Sequence, residues 1–233
     1  MNVHFTVDVE QDCPPFLDSW RGIEEGMPKL LRLLADEGVP ATCFATGDIA
    51  VRYPDLLRTI VSLGHELGCH GHSHRSFADL TRDEADAEIA AASASLRRFG
   101  PVVSFRAPYL RFPRAFVELL AEYGYQVDSS QGRHKRLGAR VHRDHGILRV
   151  PASVTSSTLR WPAFARNVLF ARLHEPVVLF VHPWEFVDLR RAPLRFDCRF
   201  RTGDEALDDV RATLGFFRAR GATFGPIRDC ADR

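Results

Sequence analysis

Short apolar runs alternate with amphipathic segments along the whole chain, and that alternation restricts the fold more than any other feature. Val3 to Val9 reads as a strand, and Met27 to Glu37 as a helix with Pro28 near its start and Gly38 as its cap. Pro40 to Thr46 is a second strand, Ile49 to Leu63 a helix kinked or restarted at Pro54, and Glu66 to Cys69 a third strand. The box Thr81-Arg82-Asp83-Glu84 opens a helix expected to run to about Phe99. Further strands are expected at Val102 to Phe105, Tyr125 to Asp128, Ile147 to Val150, Val177 to Val181 and Ala222 to Phe224. Helices fall between them at Pro113 to Gly124, Pro162 to Leu173 and Asp204 to Arg218. Parallel strands need long crossovers, and helices supply them, so the pattern predicts an α/β fold around a mostly parallel sheet. At 233 residues with no linker or repeat, a single domain over 1–233 is expected, because α/β barrels reach this size as one unit.

The second constraint is where the polar residues fall. Asp8 and Glu10 lie two apart at the end of the first strand, so in extended geometry both face one side. Such a pair is costly unless a cation joins it, although acidic residues at strand ends are commonly caps or solvated turns. His70 and His74 leave the third strand at ligand spacing, and they converge if the segment turns helically; His72 then points elsewhere. Arg106-Ala107-Pro108-Tyr109 follows the fourth strand, Asp128 ends the fifth, and His182-Pro183-Trp184-Glu185 follows Val177 to Val181. Taken singly, these residues read as salt bridges, turn formers or core histidines. Together they occupy the carboxyl ends of five strands, where parallel barrels and sheets gather catalytic groups.

A formal net charge of +1 gives no nucleic-acid footprint, and no apolar run approaches the ~20 residues of a membrane span. The five cysteines lack CxxC spacing, so reduced thiols are expected. The N-terminus enters a strand at once without a signal-peptide pattern, which predicts a cytoplasmic protein, with peripheral placement at the inner membrane face and homo-oligomerisation left open. The basic stretch Gly132 to Gly146, with Arg133, Lys135, Arg136, Arg140 and Arg143, reads as a solvated loop in preference to an anion-binding lid.

Five ordered motifs carry a resemblance over about residues 3 to 186: Thr6-Val7-Asp8-Val9-Glu10, His70 to His74, Arg106-Ala107-Pro108-Tyr109, Asp128, and Leu179-Phe180-Val181-His182. The chain resembles the polysaccharide deacetylases of carbohydrate esterase family 4, in the branch whose first motif is Asp-Val-Glu and whose last is His-Pro-Trp-Glu. The resemblance implies an incomplete or distorted (β/α)7 barrel. It implies Glu10, His70 and His74 as ligands of a divalent metal, with Zn2+ ahead of Co2+ or Ni2+; because Glu10 stands two residues after Asp8, Asp12 is the alternative carboxylate. It further implies Asp8 as general base held by Arg106, His182 as general acid tuned by Asp128, and the Tyr109 N–H as an oxyanion donor. An aromatic residue often found four positions after the aspartate is replaced by Gly132, so the wall around the acyl group must come from Trp184, Phe186 or Trp161.

Two histidines and one carboxylate leave a metal with open positions, as hydrolytic zinc sites require. The expected activity is removal of an N-linked acyl group, chiefly acetyl, from an amino sugar, glycan or sugar lipid. Hydrolysis of a cyclic amide or ureide, or deformylation of a lipid-linked sugar, would use the same chemistry. A non-catalytic metal- or carbohydrate-binding module should have lost Asp8, Arg106 or His182, and all three remain. The same ligand set serves iron(II) oxygenases, but that chemistry has no need of the Asp8/Arg106 pair.

Overall fold

The computed structural model describes residues 1–135 and 139–231. Its elements are β1 (Asn2–Val9), α1 (Met27–Asp36), β2 (Ala41–Ala45), α2 (Gly47–Arg52), α3 (Pro54–Ser62), β3 (Glu66–Cys69), α4 (Arg82–Leu96), β4 (Ser104–Phe105), α5 (Val117–Glu122), β5 (Val127–Asp128), β6 (His142–Asp144), β7 (Ile147–Arg149), α6 (Ala163–Phe170), β8 (Val177–Val181), α7 (Phe196–Arg199), α8 (Asp204–Arg218) and β9 (Thr223–Phe224). The sheet order is β6-β7-β5-β4-β3-β2-β1-β8, with β9 beside the start of β1. From β7 round to β8 every pairing is parallel, and only β6 runs antiparallel, against β7. Seven parallel strands curl into the incomplete (β/α)7 barrel that the family resemblance implied. Ser153 bridges the open side, its N–H donating to the Val178 carbonyl (2.8 Å) and its hydroxyl accepting from the Val178 N–H (3.0 Å).

Both faces of β1, β2, β3 and β8 are buried; β8 is accordingly an unbroken apolar run, whereas β1, β2 and β3 also bury polar residues, among them Thr6, Asp8, Thr42 and Glu66. One core lies between the sheet and the helices: Val3, Phe5 and Val7 pack there with Leu30, Leu34, Ile60, Ile89 and Leu214. A smaller cluster, Phe44, Val127, Leu148, Val150, Val178 and Ile227, fills the barrel interior. Below it Glu66 accepts from Thr42, Ser104 and the Arg228 N–H, so the C-terminal turn Ile227–Cys230 plugs the bottom.

Several local expectations shift. Pro54 restarts the helix rather than kinking it, because it lacks the N–H that would continue α2. The capping box at Thr81 and Glu84 forms as read, but α4 ends at Leu96. The stretch Gly132 to Gly146 is not wholly irregular, since His142–Asp144 pairs with β7; Arg136 lies outside the described residues. Among the described residues no helix is long and apolar enough to cross a membrane.

Candidate active site

The register of the sheet decides what meets at its carboxyl rim. Val7 pairs with Val181, Ala45 with Cys69, Cys69 with Phe105, and Phe105 with Asp128. The residues just beyond these partners therefore emerge at one level: Asp8, His70, Arg106 and His182. They surround or underlie a cavity of about 320 Å³ lined by Asp8, Glu10, His70, His74, Tyr109, Phe180, His182 and Trp184 among others.

Glu10, His70 and His74 converge, with one ligating atom from each lying within 4.8 Å of the others. Glu10 Oε2 is 2.5 Å from His74 Nε2 and 3.3 Å from His70 Nε2. Burial pushes the Glu10 carboxyl up, yet the charge of His74 and hydrogen bonds from both imidazoles hold it well below the usual range. The histidines do not converge by a helical turn. Gly71 and His74 both have positive φ (+75° and +57°), so the segment folds back on itself. Its shape is held by Glu88 of α4, which accepts from the N–H groups of His72 and Ser73 (3.0 Å each) and the Ser73 hydroxyl (2.6 Å). Asp12 is not part of the cluster: it is spent on the Ser19 hydroxyl (2.6 Å) and the Gly22 N–H (2.8 Å).

This donor set fits a divalent metal. His70 Nδ1 lies 2.7 Å from the Arg106 carbonyl, which can only accept, so that nitrogen carries the proton and Nε2 presents its lone pair to the cluster. Among the described residues it is the one cluster of ligating side chains with such geometry.

Arg106 has a second task. Its NH1 donates to Asp8 Oδ1 (2.7 Å) and Thr6 Oγ (2.8 Å), and its NH2 to Ser129 Oγ (3.0 Å), with the guanidinium 4.4 Å from the Phe44 ring centre. Both Arg106 and Asp8 are buried, so the pair is shielded from water. One Asp8 oxygen is thereby fixed, and the side chain still lines the cavity.

Just after β8, the strand adjacent to β1, His182 has its Nε2 3.9 Å from Glu10 Oε1 and its Nδ1 2.9 Å from Glu185 Oε1. Glu185 is fully buried and also pairs with Arg160 Nε at 2.9 Å. Burial pushes the His182 imidazole down, but the hydrogen bond with Glu185 and the charges of Glu10, Glu185 and Asp8 raise it to about 9. This corrects the expectation for Asp128. Asp128 faces Arg149 and accepts from the Ser130 hydroxyl, whose oxygen in turn accepts from the Ala107 N–H at 2.7 Å. It braces the Arg106 strand from behind and does not line the cavity. Glu185 follows its histidine by three residues, a spacing that a capping reading could have flagged, since it also accepts from the His182 N–H (3.0 Å).

Trp184 stacks on His182 (4.8 Å, 19°) and directs its indole N–H to Glu10 Oε1 at 3.4 Å. Of the three aromatics considered for the wall it is the one that lines the cavity; Phe186 is buried in the core and Trp161 is exposed. Phe180, Phe16 and Leu110 complete the apolar side. Tyr109 packs edge-on against His74 (4.9 Å), and its φ of +60° is unusual for a bulky residue and turns the backbone at the rim.

Comparison with known proteins places this geometry among relatives. The sequence profile of the polysaccharide deacetylase family matches residues 5–127. A peptidoglycan deacetylase of Helicobacter pylori is 31% identical over 125 residues, 52% of this chain and 42% of that protein. The chain spans less than half the length of the curated relatives it matches. Among solved structures, a family 4 carbohydrate esterase of Streptomyces lividans superposes with a TM-score of 0.64 at 18% identity, covering 96% of this chain and 91% of that one. A pseudoenzyme of the same family from Bacillus anthracis superposes with a TM-score of 0.66 at 15% identity, over 99% of this chain and 65% of that one. Likeness of fold therefore does not decide activity, and the side chains must.

Proposed function

We propose, for a chain that belongs to the polysaccharide deacetylase family, that it is a metal-dependent amide hydrolase removing acetyl from the nitrogen of an amino sugar. The observation that carries this reading is the convergence of Glu10, His70 and His74, flanked by Asp8 held from Arg106 and by His182 held from Glu185. Residues 1–233 act as one catalytic unit in this proposal.

Glu10, His70 and His74 would hold the cation. When bound, it supplies Lewis acidity, making water easier to deprotonate and sharing the charge that develops on the carbonyl oxygen. Asp8 takes the proton of the attacking water on Oδ2, since Oδ1 is engaged by Arg106. The Tyr109 backbone turn offers an N–H toward the developing oxyanion. His182, kept protonated by Glu185, delivers its proton from Nε2 to the departing nitrogen, without which an amine is a poor leaving group. Trp184 and Phe180 form the apolar wall against which a methyl group fits. Among cations, zinc suits an imidazole-rich set with a single carboxylate. A carrier of the sugar, lipid or polymer, belongs to the same proposal.

The test is acetate and formate release by the zinc- or cobalt-loaded protein from free, nucleotide-linked and lipid-linked N-acyl amino sugars, with Asp8→Asn as control. Release that disappears in the variant while metal stays bound supports the reading. Metal bound at stoichiometry with no release across the panel would overturn it in favour of cyclic amides or a binding role.

A further inference from the structure

Two thiols face each other at the mouth of the same cavity. Cys13 follows β1 in the loop of residues 11–19, and Cys198 lies on α7, 185 positions later in the chain. Both line the cavity, and both pack in one cluster with Trp184, Val187, Leu189 and Leu194. The two thiols lie close enough for each to shift the titration of the other. Each segment is anchored at its base: Asp12 ties its loop to Ser19 and Gly22, and the Arg160 guanidinium donates to the carbonyls of Asp197 and Phe200. We propose that Cys13 and Cys198 form a reversible dithiol–disulfide pair that clamps the two walls of the pocket mouth together.

The chemistry is asymmetric in the way such a pair needs. Cys198 is partly exposed, whereas Cys13 is buried at 5% exposure. The neighbouring Cys13 thiol lowers the Cys198 thiol to about 7, and the same neighbour together with burial pushes Cys13 up. Cys198 is thus the thiolate that meets an oxidant, and Cys13 the resolving thiol. With a hydroperoxide, the Cys198 thiolate attacks the outer oxygen and becomes a sulfenic acid, and the remaining oxygen leaves as an alcohol or water. Cys13 sulfur then attacks the sulfenic sulfur, forming the S–S bond; hydroxide departs and takes up the Cys13 proton as water. Two thiols are oxidised and one peroxide is reduced. Cys43 and Cys69 are fully buried and have thiols raised by burial, and Cys230 sits 3.2 Å from His4, so none offers a comparable pair.

The test is brief exposure of the full chain to hydrogen peroxide near neutral pH, then thiol blocking and peptide mass mapping. The expected result is a cross-linked pair of peptides carrying residues 13 and 198, two hydrogens lighter than their sum and released by dithiothreitol. In Cys13→Ser, a sulfenic acid at Cys198 should be trapped by dimedone instead. Independent blocking of both thiols after peroxide, or passage of Cys198 to sulfinic acid without a cross-link, overturns the pairing. The clamp itself is read from turnover of an N-acetyl amino sugar, and this arm alone rests on the proposed activity. A several-fold change in kcat/KM restored by dithiothreitol supports the switch; a cross-link with unchanged turnover overturns it.

Discussion

His182 and Glu185 hold each other across 2.9 Å within one short turn, and Glu185 is itself anchored by Arg160. A buried carboxylate with its own cation partner stays ionised, so it favours the imidazolium instead of competing for its proton. Burial pushes Glu185 up, but Arg160 and His182 hold it below the usual carboxylate range.

With His182 raised by its hydrogen bond to Glu185, its protonated form persists through neutrality, and kcat should fall on the alkaline side where the imidazole loses its proton. Glu185→Gln keeps the hydrogen-bonding shape but removes the charge, so the alkaline limb should move down by about one pH unit or more. A pH–rate profile of the two proteins checks this, and an unmoved limb would show that another group sets it. The linkage has a matching sign: a raised imidazole pKa stabilises the folded state fully below about 6.5, and that contribution is lost as pH rises through about 9.

Asp8 and Arg106 are both buried, so removing one strands the other. Arg106→Ala should cost about 3–5 kcal/mol in urea unfolding, because the Asp8 charge is left without its partner. Asp8→Asn leaves the buried Arg106 charge unpaired in the same way, so it too should destabilise the chain, while lowering kcat by about 10²–10⁴-fold, as loss of a general base does. Wild-type stability in either variant would contradict the shielding of this pair.

Zinc should raise the melting temperature of the wild-type chain, since a ligand bound only by the folded state stabilises it by about 2.7 kcal/mol at a hundredfold excess over Kd. The shift should vanish in Glu10→Ala and persist in Asp12→Asn, because Asp12 is committed to Ser19 and Gly22. Thermal scans with and without zinc read this independently of turnover.

Glu88 touches no candidate ligand side chain, yet it fixes the loop between His70 and His74. Glu88→Ala should weaken zinc affinity by about 10–100-fold, in the range of outer-shell partners. Titration against a competing chelator measures it, and unchanged affinity would mean that the turn at Gly71 suffices alone.

Much of this site was legible because a barrel strand delivers its next residue to the rim. Once Val3 to Val9 and Val177 to Val181 are read as neighbouring parallel strands, Asp8 and His182 must lie near each other. The same logic places His70 and Arg106. It fails for Asp128, because a residue at a strand end can face either the cavity or the flanking strand. Arg149, one strand over, draws it away. The short strand β6 was likewise hidden, since three polar residues, His142 to Asp144, carry no apolar alternation and owe their pairing to β7 alone.

The sequence by itself determined the strand and helix order, an α/β fold around a mostly parallel sheet and the inventory of groups at the rim, because hydrophobic periodicity is a local property of the chain; the barrel class came from the family resemblance. Only the tertiary structure decided the partners. Glu185 in place of Asp128 beside His182, Glu88 behind the histidine loop, Trp184 on Glu10 and Cys198 against Cys13 all depend on sheet curvature and on which buried charge is nearest. Except for Glu185, which lies three residues from His182, those are relations between distant segments that no local pattern in the chain encodes.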